Sequence, residues 1–272
     1  MQVQHKQSHE EKLQDLQHQV DELKAVNILL QEQLARKEQF TAMIAHELRG
    51  PLSPIINYAQ MLARQASKGE VTQQKKALQR STNIIIGQAR RLARLVEDLL
   101  DASRLTSDQF TLVCASCDLV SLAQDVVEQL RPVAPYHKIV VDVLNTPIIG
   151  NWDSGRLQQA IGNLLDNAIK YSDENTTITL RIWTTQDFAH VSVHNEGVSL
   201  SQEDIGQLFR PYTRLQATKR TSSGSRRGTG LGLYITKSII QAHQGELRLE
   251  PYATATEESR RGTTFTFDLP LI

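Results

Sequence analysis

Residues 40–52 read FTAMIAHELRGPL, and they join two different kinds of chain. Upstream, Leu13, Leu16, Val20, Leu23, Asn27, Leu30 and Leu34 alternate in steps of three and four. That is a heptad with a at 13, 20, 27 and 34 and d at 16, 23 and 30, the seam of a coiled coil. A buried Asn at an a position fixes register and favours two parallel strands. Carried onward, the repeat puts Thr41 at a, Ile44 at d and Leu48 at a. His46 then falls at f, facing away from the seam, so the pattern itself exposes the imidazole. Gly and Pro are almost absent before Gly50-Pro51, which predicts one long helix over residues 1–66. Pro51 and Pro54 should kink that helix just after the histidine.

Downstream, SKGE at 67–70 reads as a turn. Leu78, Ile85, Leu92, Leu95 and Leu99 mark a second amphipathic helix over 72–106. Two long helices joined by a short loop form an αα-hairpin, and two copies held by the coil would make a four-helix bundle. The texture changes near 107, where TSDQF reads as a turn. FTLVC, KIVVDVL, TTITLRIW, AHVSVH, ELRLE and TTFTFDL read as strands, with helical stretches near 118–130, 154–170 and 231–244 between them. The fold class is therefore α followed by α/β, in three parts. These are a coiled-coil helix over 1–36, a helical hairpin over 37–106 and an α/β domain over 107–272. Residues 213–229 form a long Gly/Ser/Thr/Arg-rich loop, the kind that often serves as a lid.

Composition narrows the function. The 272 residues are 40% apolar and 22% charged, as in soluble domains. Thirty Lys and Arg balance thirty Asp and Glu, so no excess positive charge exists to neutralise a nucleic-acid backbone. No apolar run approaches the roughly 18–20 residues that span a bilayer, and MQVQHKQSHEEKLQ has no signal-peptide core. The expected location is cytoplasmic. Cys114 and Cys117 make a single C-x-x-C, half of a structural zinc site and so read as packing thiols.

Three clusters carry chemistry. An imidazole nitrogen is nucleophilic when neutral, and Glu47 beside His46 could accept the Nδ1 proton and orient Nε2. In 163–171, NLLDNAIKY, Asn163 and Asn167 share one helical face while Leu157, Ile161, Leu164, Leu165 and Ala168 face the core. Amide oxygens suit Mg²⁺, and Lys170 adds a point charge for phosphate. Gly228-Thr229-Gly230-Leu231-Gly232 opens a helix, where free N–H groups meet phosphates, with Arg214, Lys219, Arg220, Arg226 and Arg227 just upstream. Taken singly, these are a surface histidine, a polar helix face and a glycine turn.

In this order and spacing, residues 36–272 strongly resemble the histidine protein kinases of two-component signalling. Phe40–Leu52 is similar to their phosphoacceptor box, Asn163–Tyr171 to the N box and Val193–Leu200 to a variant G1 box. Phe209–Tyr212 is similar to the F box, Gly228–Leu233 to the G2 box and Gly262-Thr263-Thr264 to the last glycine motif. The resemblance implies a dimerisation and phosphotransfer hairpin followed by a GHKL-type ATP-binding sandwich. It implies that ATP phosphorylates His46, assisted by Glu47, and that the phosphoryl group passes to an aspartate of a response-regulator receiver domain. By the same resemblance Asn163 and Asn167 hold Mg²⁺ and the phosphates, with Lys170 nearby, and Tyr171 lies against the base. Gly197 shapes the adenine pocket; Gly228, Gly230, Leu231 and Gly232 shape the lid and triphosphate site; Arg214 contacts phosphate.

Two departures stand out. The family's G1 motif begins with an Asp that accepts a hydrogen bond from adenine, where this chain has Asn195, and its second glycine is Ser199. An amide oxygen can still accept that bond. Four residues after His46 many relatives carry Thr or Asn, which places water for dephosphorylating the partner; here Gly50 has no side chain to do so. The competing reading is a dimeric signalling scaffold with a degenerate nucleotide site and little kinase activity. An anti-sigma-type GHKL serine kinase is a third, opposed by the histidine-bearing hairpin.

Overall fold

In a computed structural model the chain is described over residues 2–67, 75–106, 110–197, 206–211, 230–250 and 262–271. The expected turn at 68–70 and the lid over 213–229 lie outside these residues. The chain divides into two compact units, Met1–Leu92 and Ala93–Ile272.

Helix α1 spans Gln2–Ser67 and runs unbroken through Pro51 and Pro54. The two prolines withdraw two helix donors, and Ser53 Oγ back-bonds to the Arg49 carbonyl at 3.0 Å, a contact that bends helices without ending them. Helix α2 spans Lys75–Thr106. In the first unit, Glu47 of α1 and Ser81 of α2 are buried, and Arg91 Nη2 reaches Glu47 Oε2 at 3.7 Å. The heptad leucines find nothing to cover them in one chain: Leu16, Val20, Leu23, Leu30 and Leu34 are 45–68% exposed.

The second unit holds a five-stranded sheet, ordered β2-β4-β5-β7-β6. Its strands are β2 Lys138–Val143, β4 Thr177–Thr184, β5 Phe188–Glu196, β6 Leu247–Glu250 and β7 Gly262–Pro270. Only β2–β4 is parallel; the other pairs are antiparallel. A two-stranded antiparallel pair, β1 Ala115–Asp118 with β3 Ile149–Trp152, lies beside it. The helices are α3 Leu119–Leu130, α4 Ser154–Tyr171 and α5 Gly232–Ala242. Along β5 the residues Ala189, Val191, Val193 and Asn195 are all buried, one face of the strand by the two-residue period. Leu157, Ile161, Leu164, Leu165 and Ala168 of α4 are buried too, as their spacing predicts.

Acidic caps fix the starts of α3 and α4. Asp118 accepts from the N–H groups of Val120 and Ser121 and from Ile148 N. Asp153 accepts from Arg156 N at 3.1 Å and from Val113 N at 2.8 Å. That second bond corrects the strand expected at FTLVC: residues 110–114 are not strand, because Val113 donates to a helix cap instead of a ladder. The strand begins one residue later, at Ala115. His243, buried at the end of α5, joins the helices: Nδ1 bonds the Ile239 carbonyl at 2.8 Å and Nε2 accepts from Asp153 N at 3.0 Å.

The end of α2 belongs to this second unit. Asp101 is buried and accepts from Arg156 at 2.7 Å and Gln159 at 2.8 Å, both on α4. One turn earlier, burial pushes the Asp98 carboxyl up to about 7; Asp101 and Glu97 on α2 and Asp166 on α4 push the same way, against Arg94. The unfolded Asp releases its proton near pH 4 while the folded one keeps it to about 7. Stability from this group is therefore full below about pH 4 and falls as pH rises to about 7. Asp98→Asn is expected to flatten that slope and to be more stable than the parent at pH 8, with the gap closing toward pH 4. Urea midpoints measured across this range check it, and parallel profiles would contradict it.

Candidate nucleotide site and phosphoacceptor histidine

The sandwich brings α4 against the start of α5. Asn163 Nδ2 donates to the Gly232 carbonyl at 3.3 Å and contacts Thr236 Oγ1 at 3.4 Å. Thr236 Oγ1 in turn donates to the same carbonyl at 2.8 Å, four residues back. With its nitrogen engaged, Asn163 keeps Oδ1 as the atom available to a cation or water. A Cβ on Gly232 would lie in ordinary contact with Asn163, 3.6 Å from its Cγ. Asn167, one turn on, is half-buried on the same face. Gly230 takes φ 72°, the left-handed region, as it turns the chain into Leu231, which is 1% exposed and anchors the helix start.

The far end of α4 builds a second wall. Lys170 Nζ sits 4.7 Å above the Tyr171 ring. Ser172 bridges Gly197, and Asp173 N donates to the Glu196 carbonyl at 3.0 Å. A Cβ at Gly197 would overlap the Tyr171 carbonyl oxygen, so this position admits only glycine without backbone movement. Asn195, two residues earlier, is buried, and its Nδ2 has no hydrogen-bond partner among the described residues. Arg214, Gly228 and Ser199 lie outside the described residues, as does Tyr212 of the F-box stretch. Phe209 of that stretch is described: its ring meets Phe265 edge-on at 6.4 Å, with Lys237 Nζ 5.4 Å above it.

In the first unit, His46 is exposed, as its heptad position requires. Glu47 is buried in the hairpin, with Arg91 Nη2 3.7 Å from its Oε2. Neighbouring helical residues point about 100° apart, so an outward His46 and an inward Glu47 follow from the helix itself. Sequence reasoning missed Arg91, whose link to Glu47 crosses two helices. It also missed Thr236, whose signal was a hydroxyl four residues after Gly232 in an apolar helix. Among the described residues no group of three His, Cys, Asp or Glu could hold a metal.

Comparison with known proteins matches both units. Residues 36–108 match the His Kinase A (phospho-acceptor) domain, and residues 152–272 match the histidine kinase-, DNA gyrase B- and HSP90-like ATPase family. The chain belongs to the histidine protein kinases. The sensor histidine kinase TrcS of Mycobacterium tuberculosis is 35% identical over 87% of this chain and 44% of TrcS. ShkA, solved full-length in complex with AMPPNP, shares its fold at 24% identity and TM-score 0.58, over 86% of this chain and 45% of ShkA. ThkA, solved in complex with the response regulator TrrA, does so at 23% identity and TM-score 0.57, over 89% and 64%. The chain spans between 30 and 44% of the length of three curated sensor kinases that it matches. No helix among its described residues is long and apolar enough to cross a membrane.

Proposed function

We propose that this kinase uses Mg-ATP to phosphorylate His46 and passes the phosphoryl group to an aspartate of a response-regulator receiver domain. The observation that carries this reading is the pairing, in one chain, of an exposed helical histidine with the Asn163–Gly232 junction. Neutral His46 attacks the γ-phosphorus; a nitrogen–phosphorus bond forms, the bond to the bridging oxygen breaks, and ADP leaves. In the second step the receiver carboxylate takes the phosphoryl group and the histidine is restored. The transition state is loose, so positioning and charge neutralisation carry the rate.

The donor set suits the substrate. Oδ1 of Asn163 and the amide of Asn167 are hard oxygen donors for Mg²⁺, which would neutralise phosphate charge there. Lys170 supplies a further positive charge, and Tyr171, Asn195 and Gly197 surround the base. Gly230, Leu231 and Gly232 lead the phosphates to the start of α5, and Gly228 and Arg214 contribute to phosphate binding. Glu47 assists His46 after its carboxylate leaves Arg91.

The kinase works as a homodimer. The uncovered heptad leucines, together with exposed Leu52, Ile56, Leu78 and Ile86 on the hairpin, form apolar faces that a second copy buries. The working division is a coiled-coil helix over 1–36, a phosphotransfer hairpin over 37–106 and a catalytic domain over 107–272, acting in the cytoplasm where ATP and receivers reside. The test is incubation with Mg²⁺ and γ-labelled ATP. Acid-labile, base-stable label on the protein supports the kinase; failure to label favours the degenerate scaffold.

A Cβ at Gly50 would meet nothing within 4 Å. The parent is therefore expected to release little phosphate from a phosphorylated receiver, and Gly50→Thr, which fits without a clash, to release more. Phosphate release from purified phosphorylated receiver measures both. Strong stimulation by the parent would contradict the expectation.

A further inference from the structure

Asn195 ends an apolar face. The preceding inward residues of β5 are Ala189, Val191 and Val193, and its cross-strand neighbours are Ile178 on β4 and Thr263 on β7. It is 4% exposed, yet Nδ2 has no partner among the described residues. A buried N–H without a partner is costly, so a ligand atom that accepts from it recovers what burial lost. The position is held firmly, because Gly197 locks the end of β5 against the last turn of α4.

We propose that Asn195 reads the six-membered edge of a purine, and that its amide makes the site accept 6-oxopurine nucleotides as well as adenine nucleotides. This rests on the nucleotide-site reading above. An amide presents one acceptor and one donor in a plane. Adenine presents a donor at N6 and an acceptor at N1, and the amide matches both. Hypoxanthine presents the reverse, an acceptor at O6 and a donor at N1. The same amide, turned through a half rotation about its Cβ–Cγ bond, matches that pair too. A carboxylate at this position has only acceptors; it pairs with the adenine amino group and opposes O6 with lone pairs. The neutral side chain also removes the cost of burying a charge among Ile178 and Val193.

The probes are ADP and IDP, which differ only in this edge, titrated calorimetrically into the full chain with Mg²⁺. The parent is expected to bind the two within about fivefold of each other. Asn195→Asp is expected to keep ADP and to weaken IDP by a further factor of roughly ten or more, the scale of one matched two-bond contact. Asn195→Ala, which removes both groups, should weaken both nucleotides while leaving their ratio near the parent's. A parent that binds ADP and rejects IDP by tenfold or more overturns the proposal, with no variant needed. An unchanged ratio in a folded Asn195→Asp protein overturns it as well. Binding of neither nucleotide to the parent overturns the nucleotide-site reading, and this inference with it.

Discussion

His46→Gln is expected to bring acid-labile label from γ-labelled ATP down to background while leaving the fold and nucleotide binding as they were. The side chain is exposed on an uninterrupted helix, and exchanging such a residue for a good helix former changes stability by about 0.5 kcal/mol or less. Glutamine keeps a polar side chain of similar reach but no nucleophilic nitrogen. Loss of label therefore reports loss of the acceptor and not of the scaffold. The measurement is a time course of label beside a thermal melt and an ADP titration on the same preparation. Residual acid-labile label above background would place the acceptor elsewhere and remove His46 from the mechanism.

Gly197→Ala is expected to damage the other half of the machinery with His46 intact. The added methyl overlaps the Tyr171 carbonyl oxygen and comes within 3.1 Å of Ser172 Cα. Both are backbone atoms, so no side chain can rotate away; either β5 or the end of α4 has to shift. Overpacking of this kind costs about 1–3 kcal/mol. The shift also moves Tyr171 and Asn195, which are proposed to lie against the base, and a displacement of about 1 Å there can reduce turnover roughly a hundredfold. A lower melting temperature together with weakened ADP binding is the expected pair of results. Parental nucleotide affinity in this variant would show that the contact between strand end and helix end does not shape the site.

What could be read in advance follows the range of each interaction. The exposure of His46 and the buried stripe of α4 come from helical periodicity, a property of neighbours three and four apart. Asp118 and Asp153 lie immediately before the helices they cap, within the same short range. The strand Ile149–Trp152 was invisible because Gly150 and Asn151 have little intrinsic preference for a strand, and only its pairing with Ala115–Asp118 makes it one. FTLVC misled for the converse reason: its apolar, β-branched texture is overruled by one bond from Val113 to Asp153, forty residues on. The approach of Arg91 to Glu47 depends on how two helices meet, and the burial of Asn195 on the order of strands in a sheet. Neither is a property of the residues beside them.

The strand order has a consequence for how the molecule is made. The last strand in chain order, β7, lies inside the sheet between β5 and β6, and it pairs Phe188 with Pro270 and Glu196 with Gly262. These contacts join residues more than sixty positions apart, the kind of closure that slows folding. On the ribosome the helical hairpin can form while the sandwich still waits for its final strand. Until β7 arrives, β5 presents an unpaired apolar edge, a template for the wrong strand from another chain. The sandwich is thus completed from its middle by its newest segment, and that interval is when a nascent chain is most exposed to aggregation and most in need of a chaperone.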